Sequence, residues 1–288
     1  MDVDRDLFVA ARSVDGLGPM TVVDADFSLL AAEIVPGGKS GGTNTSHTIV
    51  VSSLSALLDA VPHDAPHAAY AQAALEANVL GKDTDGARRR TFRYLRELYL
   101  LRPNSLLFRA LRDLWPLDPD ARPLLAGLCA LARDSVFRAS SPAITATRPG
   151  ETLASTDLAA AVGEQFPDSY GAPTLAKIGR NTFSSWEQTG HLKDVGRSAA
   201  KERTRAMCRP ADVAYALLLG HVTGARGQGL FATPWARVLD HPRSHLLDLA
   251  TTASQHGMLE LRNAGGVIEV GFRELLRPFE VEGQGRLL

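Results

Sequence analysis

Apolar positions recur at helical spacing over most of this chain. Leu54, Leu57, Leu58 and Val61 share one face, and Pro62 and Pro66 break the helix that carries them. Residues 68–80 are rich in Ala, Leu and Glu, all good helix formers, and Gly81 closes them as a left-handed cap. The stretch 82–112 reads KDTDGARRRTFRYLRELYLLRPNSLLFRALR. Thr84 and Asp85 can cap its first free N–H groups, and Phe92, Leu95 and Tyr99 form an apolar stripe. Pro103 separates it from a shorter helix at 106–114, closed by Trp115 and Pro116. Leu124, Leu125, Leu128, Leu131 and Ala132 give the next core face. The pattern predicts a partly irregular extension over 1–45 and a helical bundle over 46–149.

Pro142, Pro149 and Gly150 mark a boundary at 142–151, after which the pattern changes. Ser155, Thr156 and Asp157 start a helix carrying Leu158, Val162 and Phe166. A turn at 167–171 follows. Pro173 opens the next helix, where its missing N–H costs nothing. Leu175, Ile178, Thr182 and Trp186 fall on the inner face of that helix, and Lys177, Arg180, Asn181, Ser184 and Gln188 on its outer face. Two helices joined by a short turn, the second polar outside, form a helix-turn-helix pattern. Residues 210–220 are apolar almost all round, a buried helix, and 244–256 form another. MLELRNAGGVIEVGF then reads as strand, tight turn and alternating strand. A helix followed by a β-hairpin is what a winged-helix domain needs. The expected fold is therefore mainly α: an N-terminal helical bundle, then a winged-helix-like domain over 150–288 with a small β-hairpin.

Charge sharpens this picture. The net charge is −1, so a uniformly basic protein is excluded and any nucleic-acid site must be a local patch. Arg88, Arg89, Arg90, Arg93, Arg96, Arg102, Arg109 and Arg112 face a single acid, Glu97, between Gly86 and Arg112. The balancing acids lie elsewhere, with Asp2, Asp4, Asp6, Asp15, Asp24, Asp26 and Glu33 in the first 33 residues. A second basic stretch, Lys193, Arg197, Lys201, Arg203, Arg205 and Arg209, reads as an exposed loop. The expected nucleic-acid contacts are Arg88, Arg89, Arg90, Arg93 and Arg96; Lys177, Arg180, Asn181 and Ser184; and Lys193, Arg197, Lys201, Arg203 and Arg205. Lys and Ser suit phosphates, Arg can grip guanine and Asn adenine. Each segment also has a plain reading. The arginine helix could be a solvated face paired with Glu97, Asp113 or other acids, the 173–189 helix an ordinary core helix, and 193–209 a simple loop.

No catalytic or metal pattern emerges. Gly38, Lys39 and Ser40 match the end of a phosphate-binding loop, but Glu33 stands where its first glycine belongs, and no convincing strand precedes it. His241 and His245 are four apart with Pro242 between them and no acid in the metalloprotease position. Neither cofactor nor metal is expected. Cys129 and Cys208 imply no disulfide framework and fit a reducing cytoplasm. No apolar run approaches the roughly 18 residues that span a bilayer, so no membrane partner is expected.

Three segments carry a resemblance. EANVLGKDTDGARRRTFRYLREL resembles the N-terminal signature of the BrxA family of BREX phage-resistance systems, and TLAKIGRNTFSSWEQTGHL and AYALLLGHVTGARGQGLFATPWARVL resemble its C-terminal half. The likeness spans about residues 68–275, and residues 1–67 are longer than in the usual member. It implies a cytoplasmic, non-enzymatic helical protein with a winged-helix part that binds nucleic acid and serves a defence operon. Double-stranded DNA is the expected partner, with other proteins of the operon beside it. A proposed likeness of that family to the RNA-binding antitermination protein NusB keeps RNA open. From another class, the rival is a protein–protein adaptor whose arginines dock an acidic partner.

Overall fold

The structure, a computed structural model, describes residues 32–38, 40–196 and 199–277. The expectations on residues 1–31 and on Lys39 and Arg197 lie outside the described residues. Over half of the chain is helical. Helix α1 (Val51–Ala60) buries Leu54, Leu57 and Leu58, as its spacing requires. Helix α2 (His67–Ala71) runs on into a π turn at Gln72–Glu76. Helix α3 (Asp85–Tyr99) starts where the Thr84 hydroxyl accepts from Ala87 N, and it buries Phe92, Leu95, Leu98 and Tyr99. Helix α4 (Leu106–Leu114) is capped from a distance. The Glu33 carboxylate accepts from Leu106 N at 3.0 Å and Leu107 N at 2.9 Å, at the positive end of the helix dipole.

Helix α5 (Arg122–Arg133) is buried from Leu124 to Ala132 and forms the middle of the first half. Two short helices, α6 (Ser135–Ala139) and α7 (Ser141–Ala146), lead to strand β1 (Thr152–Leu153). Helices α8 (Ser155–Gln165) and α9 (Ala172–Gln188) pack on each other. Strands β2 (Leu192–Asp194) and β3 (Lys201–Arg203) follow. The three strands make one antiparallel sheet in the order β1-β3-β2, with Leu192 opposite Arg203 and Thr152 opposite Glu202. Residues 192–194 and 201–203, expected in a loop, are thus strands.

The remaining elements are α10 (Pro210–Val222), α11 (Pro234–Val238), α12 (Arg243–Gln255), β4 (Glu260–Ala264) and β5 (Val267–Gly271). Helix α10 is the buried helix that its apolar circumference implies, and it packs against α4, α5, α11 and α12. Strands β4 and β5 pair through Gly265 and Gly266, both at positive φ as a tight hairpin turn requires. This hairpin packs on α12 and on a 3-10 turn at Gly227–Ala232. A second hairpin, β2–β3, directly follows α9 and had no counterpart in the sequence pattern.

One cluster of buried apolar side chains runs from Ile49 to Leu275 and crosses the 142–151 segment without a break. A smaller one, Val136, Ala139, Val162, Phe166 and Ile178, lies between α6, α8 and α9. Trp186 is fully buried in the larger cluster, packed at 4.7 Å on Phe137 and 4.9 Å on His191, with Nε1 donating to Ser140 Oγ at 2.8 Å. Trp186→Ala should cost about 3–5 kcal/mol in denaturant unfolding, as aromatic truncations in cores do. A loss below about 1 kcal/mol would contradict this packing.

His191 supplies a pH signature. Its ring bridges Thr189 Oγ1 at 2.7 Å and the Val238 carbonyl at 2.8 Å. Burial pushes its pKa down to about 4. The folded state excludes a proton that the unfolded chain takes up near its ordinary value of about 6.5. His191 therefore withdraws stability as pH falls from about 6.5 to about 4, by about 3 kcal/mol in full. The stability–pH curve of His191→Gln should be flatter than wild type over that window, and equal slopes would refute the assignment.

Candidate nucleic-acid interface

Helix α9 presents its polar face unevenly. Pro173, Lys177 and Arg180 are exposed, and Ser184 continues their row half-buried. Ile178, Thr182 and Trp186 face inward, as the periodicity requires, and Leu175 is half-buried. Lys177 and Arg180 make no ion pair among the described residues. This row is what a groove or a phosphate ladder could meet.

Asn181 and Gln188 do not belong to that row. The 41–51 segment crosses beside α9 and takes them. Asn181 Nδ2 donates to the Asn44 carbonyl at 3.0 Å, and Val51 N donates to Gln188 Oε1 at 3.0 Å. Between them, Ser185 Oγ donates to Asn44 Oδ1 at 2.7 Å and accepts from Ile49 N at 3.2 Å. Asn181, expected to read adenine, is half-buried and gives one of its amide N–H groups to the protein backbone.

The same segment touches α3 on its other side. Thr43 Oγ1 donates to Glu97 Oε2 at 2.9 Å, and the His47 ring lies 4.7 Å from that of Tyr94. Burial, with the nearby charges of Lys82 and Arg90 adding to it, pushes the His47 pKa down. The Arg90–Arg93–Glu97 edge of α3 and the Asn181 edge of α9 thus flank one strip of chain. Sequence reading missed this strip. Its signals were faint: paired glycines at 41 and 42, and Asp134 before Ser135 as a helix cap.

The arginines of 86–112 divide into three groups. Arg88, Arg109 and Arg112 donate to the backbone carbonyls of Leu75, Leu275 and Val61. Arg89 pairs with Asp85 at 2.6 Å, and Arg93 with Glu97 at 3.7 Å, one helical turn away in each case. Arg90, Arg96 and Arg102 are exposed and form no ion pair among the described residues. The half-buried Arg88 is thereby corrected from ligand contact to structural tie. Asp113 pairs with Arg277 at 2.6 Å and with His63 at 3.0 Å rather than with the α3 arginines.

The second basic stretch divides similarly. Lys193 is exposed on β2. Lys201 reaches Glu187 at 2.5 Å and sits 4.9 Å over the Phe183 ring, tying β3 to the end of α9. Arg203 is fully buried, donates to the Ile144 carbonyl at 2.9 Å and faces Asp240 at 2.9 Å. Its expected contact with nucleic acid is corrected, because its guanidinium has no path to solvent. Arg205 stays half-exposed, 3.7 Å from the same carboxylate.

Among the described residues, no three His, Cys, Asp or Glu side chains gather as metal ligands, and no helix is long and apolar enough to cross a membrane. The His241 and His245 rings lie against each other, tilted by 40° with centroids 4.7 Å apart. The chain matches no protein-family model, no curated protein and no solved structure.

Asn181→Ala should lower stability by about 1 kcal/mol, one net hydrogen bond, and leave any sequence preference unchanged. Denaturation and binding-site selection on the variant check both parts. An altered preference would return Asn181 to the groove.

Proposed function

We propose that this protein binds double-stranded DNA through a winged-helix module and acts without catalysis, as an accessory or regulatory part of a bacterial phage-defence (BREX) system. The observation that carries the reading is the row of exposed Lys177 and Arg180 with half-buried Ser184 on the second helix of the α8–α9 pair. The order helix, strand, helix, helix, strand, strand from α7 to β3, with sheet order β1-β3-β2, supports it. In this reading α9 enters the groove, as the second helix of such pairs does. The β2–β3 hairpin is the wing, and Lys193 stands at its base. The hairpin at β4–β5 is a separate attachment on α12.

Arg180 is the base-reading residue and Lys177 the phosphate contact, because Arg forks onto guanine while Lys acts as a point charge. Arg90 and Arg96 add phosphate contacts from α3. The resemblance of residues 68–275 to the BrxA family supplies the defence setting and the proteins of the same operon as further partners. RNA and an acidic protein partner are the competing ligands.

Gel shifts with double-stranded DNA, single-stranded DNA and RNA across a salt series test this. Duplex DNA should win. Lys177→Ala should lower the log–log salt slope by about 0.9, the share of one lost phosphate contact. Arg180→Ala should instead change any sequence preference. An unchanged slope, or binding to operon proteins that ignores salt, would sink the DNA reading in favour of an adaptor.

A further inference from the structure

Past the end of β3, Arg205 opens into a pocket of about 460 Å³. Thr145 of α7, Arg237 of α11, and Asp240, His241 and Pro242 complete its lining. Asp240 is the one carboxylate in that lining, and it is already committed: its Oδ2 lies 2.9 Å from Arg203 Nη2 and 3.7 Å from Arg205 Nε. Arg203 is wholly buried. Its pairing with Asp240 takes up most of the only negative charge at the pocket, leaving Arg205 and Arg237 incompletely balanced.

Positive charge exceeds negative all round. Arg237 is exposed and forms no ion pair among the described residues. The His241 ring packs against that of His245 at 4.7 Å. Pro242 leads directly into α12, whose first turn has no side-chain cap and no acid. Arg243 and His245 occupy that turn, against the preference of a helix N-terminus for anions. A site where positive charge outweighs negative draws anions toward it. The guanidinium fork matches a phosphate oxyanion in geometry as well as charge.

We propose that this pocket binds a phosphoryl group, with Arg205 and Arg237 as its two charged ligands and His241 at its edge. The phosphoryl group belongs either to a nucleic-acid backbone or to a free phosphorylated small molecule, and the chemistry of recognition is the same. The pocket can hold a phosphoryl group whether or not α9 enters a groove.

The test is thermal unfolding of the full chain with pyrophosphate, against sodium chloride at matched ionic strength. Pyrophosphate should raise Tm in a saturable way. Arg205→Ala with Arg237→Ala, both on exposed side chains, should weaken the apparent affinity by about tenfold or more, the worth of a charged hydrogen bond. Arg262→Ala on the β4–β5 hairpin should behave as wild type. The His241 imidazole resonance should move on titration in wild type and stay still in the double variant. No rise beyond the salt control, or an equal rise in the double variant, overturns the proposal. The salt slope for duplex DNA then assigns the source. A lower slope in the double variant makes the phosphate part of a nucleic-acid backbone. Unchanged DNA binding beside lost pyrophosphate binding makes it a free ligand.

Discussion

The buried carboxylate of Asp134 holds the two halves of the proposed interface together. It accepts from Val136 N at 3.0 Å and Phe137 N at 2.9 Å, which caps α6. It also accepts from Asn44 N at 2.8 Å and Asn44 Nδ2 at 3.0 Å, which pins the 41–51 segment. Burial pushes its pKa up, and the bonds to Asn44, Phe137 and Val136 oppose that rise. A carboxyl group so far from water is tolerable because its oxygens are met by donors. The approach is close enough to exclude a side chain. A Cβ on Gly42 would stand 2.3 Å from Asp134 Oδ1, and Gly42 also has φ of +151°. From this anchor Asn44 reaches α9 and Thr43 reaches α3.

That arrangement explains why basic residues that look alike in the sequence do different work. Arg88, Arg109, Arg112 and Arg203 close off backbone carbonyls that helix ends and loops leave over. Arg89, Arg93 and Lys201 neutralise acids beside them. Within residues 86–112, α9 and the 193–209 stretch, the described outward charge is left to Arg90, Arg96, Arg102, Lys177, Arg180 and Lys193, with Arg205 partly shared with Asp240. The basic surface is therefore smaller than the composition of 86–112 suggests, and Lys177 and Arg180 weigh more in it. Exposed ion pairs contribute little to stability, so Arg89 and Arg93 could trade their acids for phosphates at small cost.

The strands show the same limit from another side. β2 and β3 are three residues each and β1 is two, too short for an alternating pattern to register. Their pairing depends on backbone bonds across the sheet, such as Arg203 N to the Glu151 carbonyl at 2.7 Å and Gly150 N to the Arg203 carbonyl at 2.8 Å. The longer β4–β5 hairpin carries a clear turn signal at Gly265 and Gly266, so it was legible where the shorter strands were not.

Periodicity and caps alone determined most of the longer helices, the burial of Leu54, Leu95, Ile178 and Trp186, the largely buried α10 and the exposed placement of Lys177 and Arg180. These are local matters: a 3.6-residue repeat decides which side chains turn inward, and a hydroxyl or carboxylate decides where a helix begins. Tertiary structure alone decided that Asn181 serves Asn44, that Arg203 is sealed against Asp240, and that Glu33 caps a helix some seventy residues away. Those partners are far apart in the chain. A donor in a sequence shows what it can bond, but only packing determines whether water, a ligand or a distant carbonyl takes the bond.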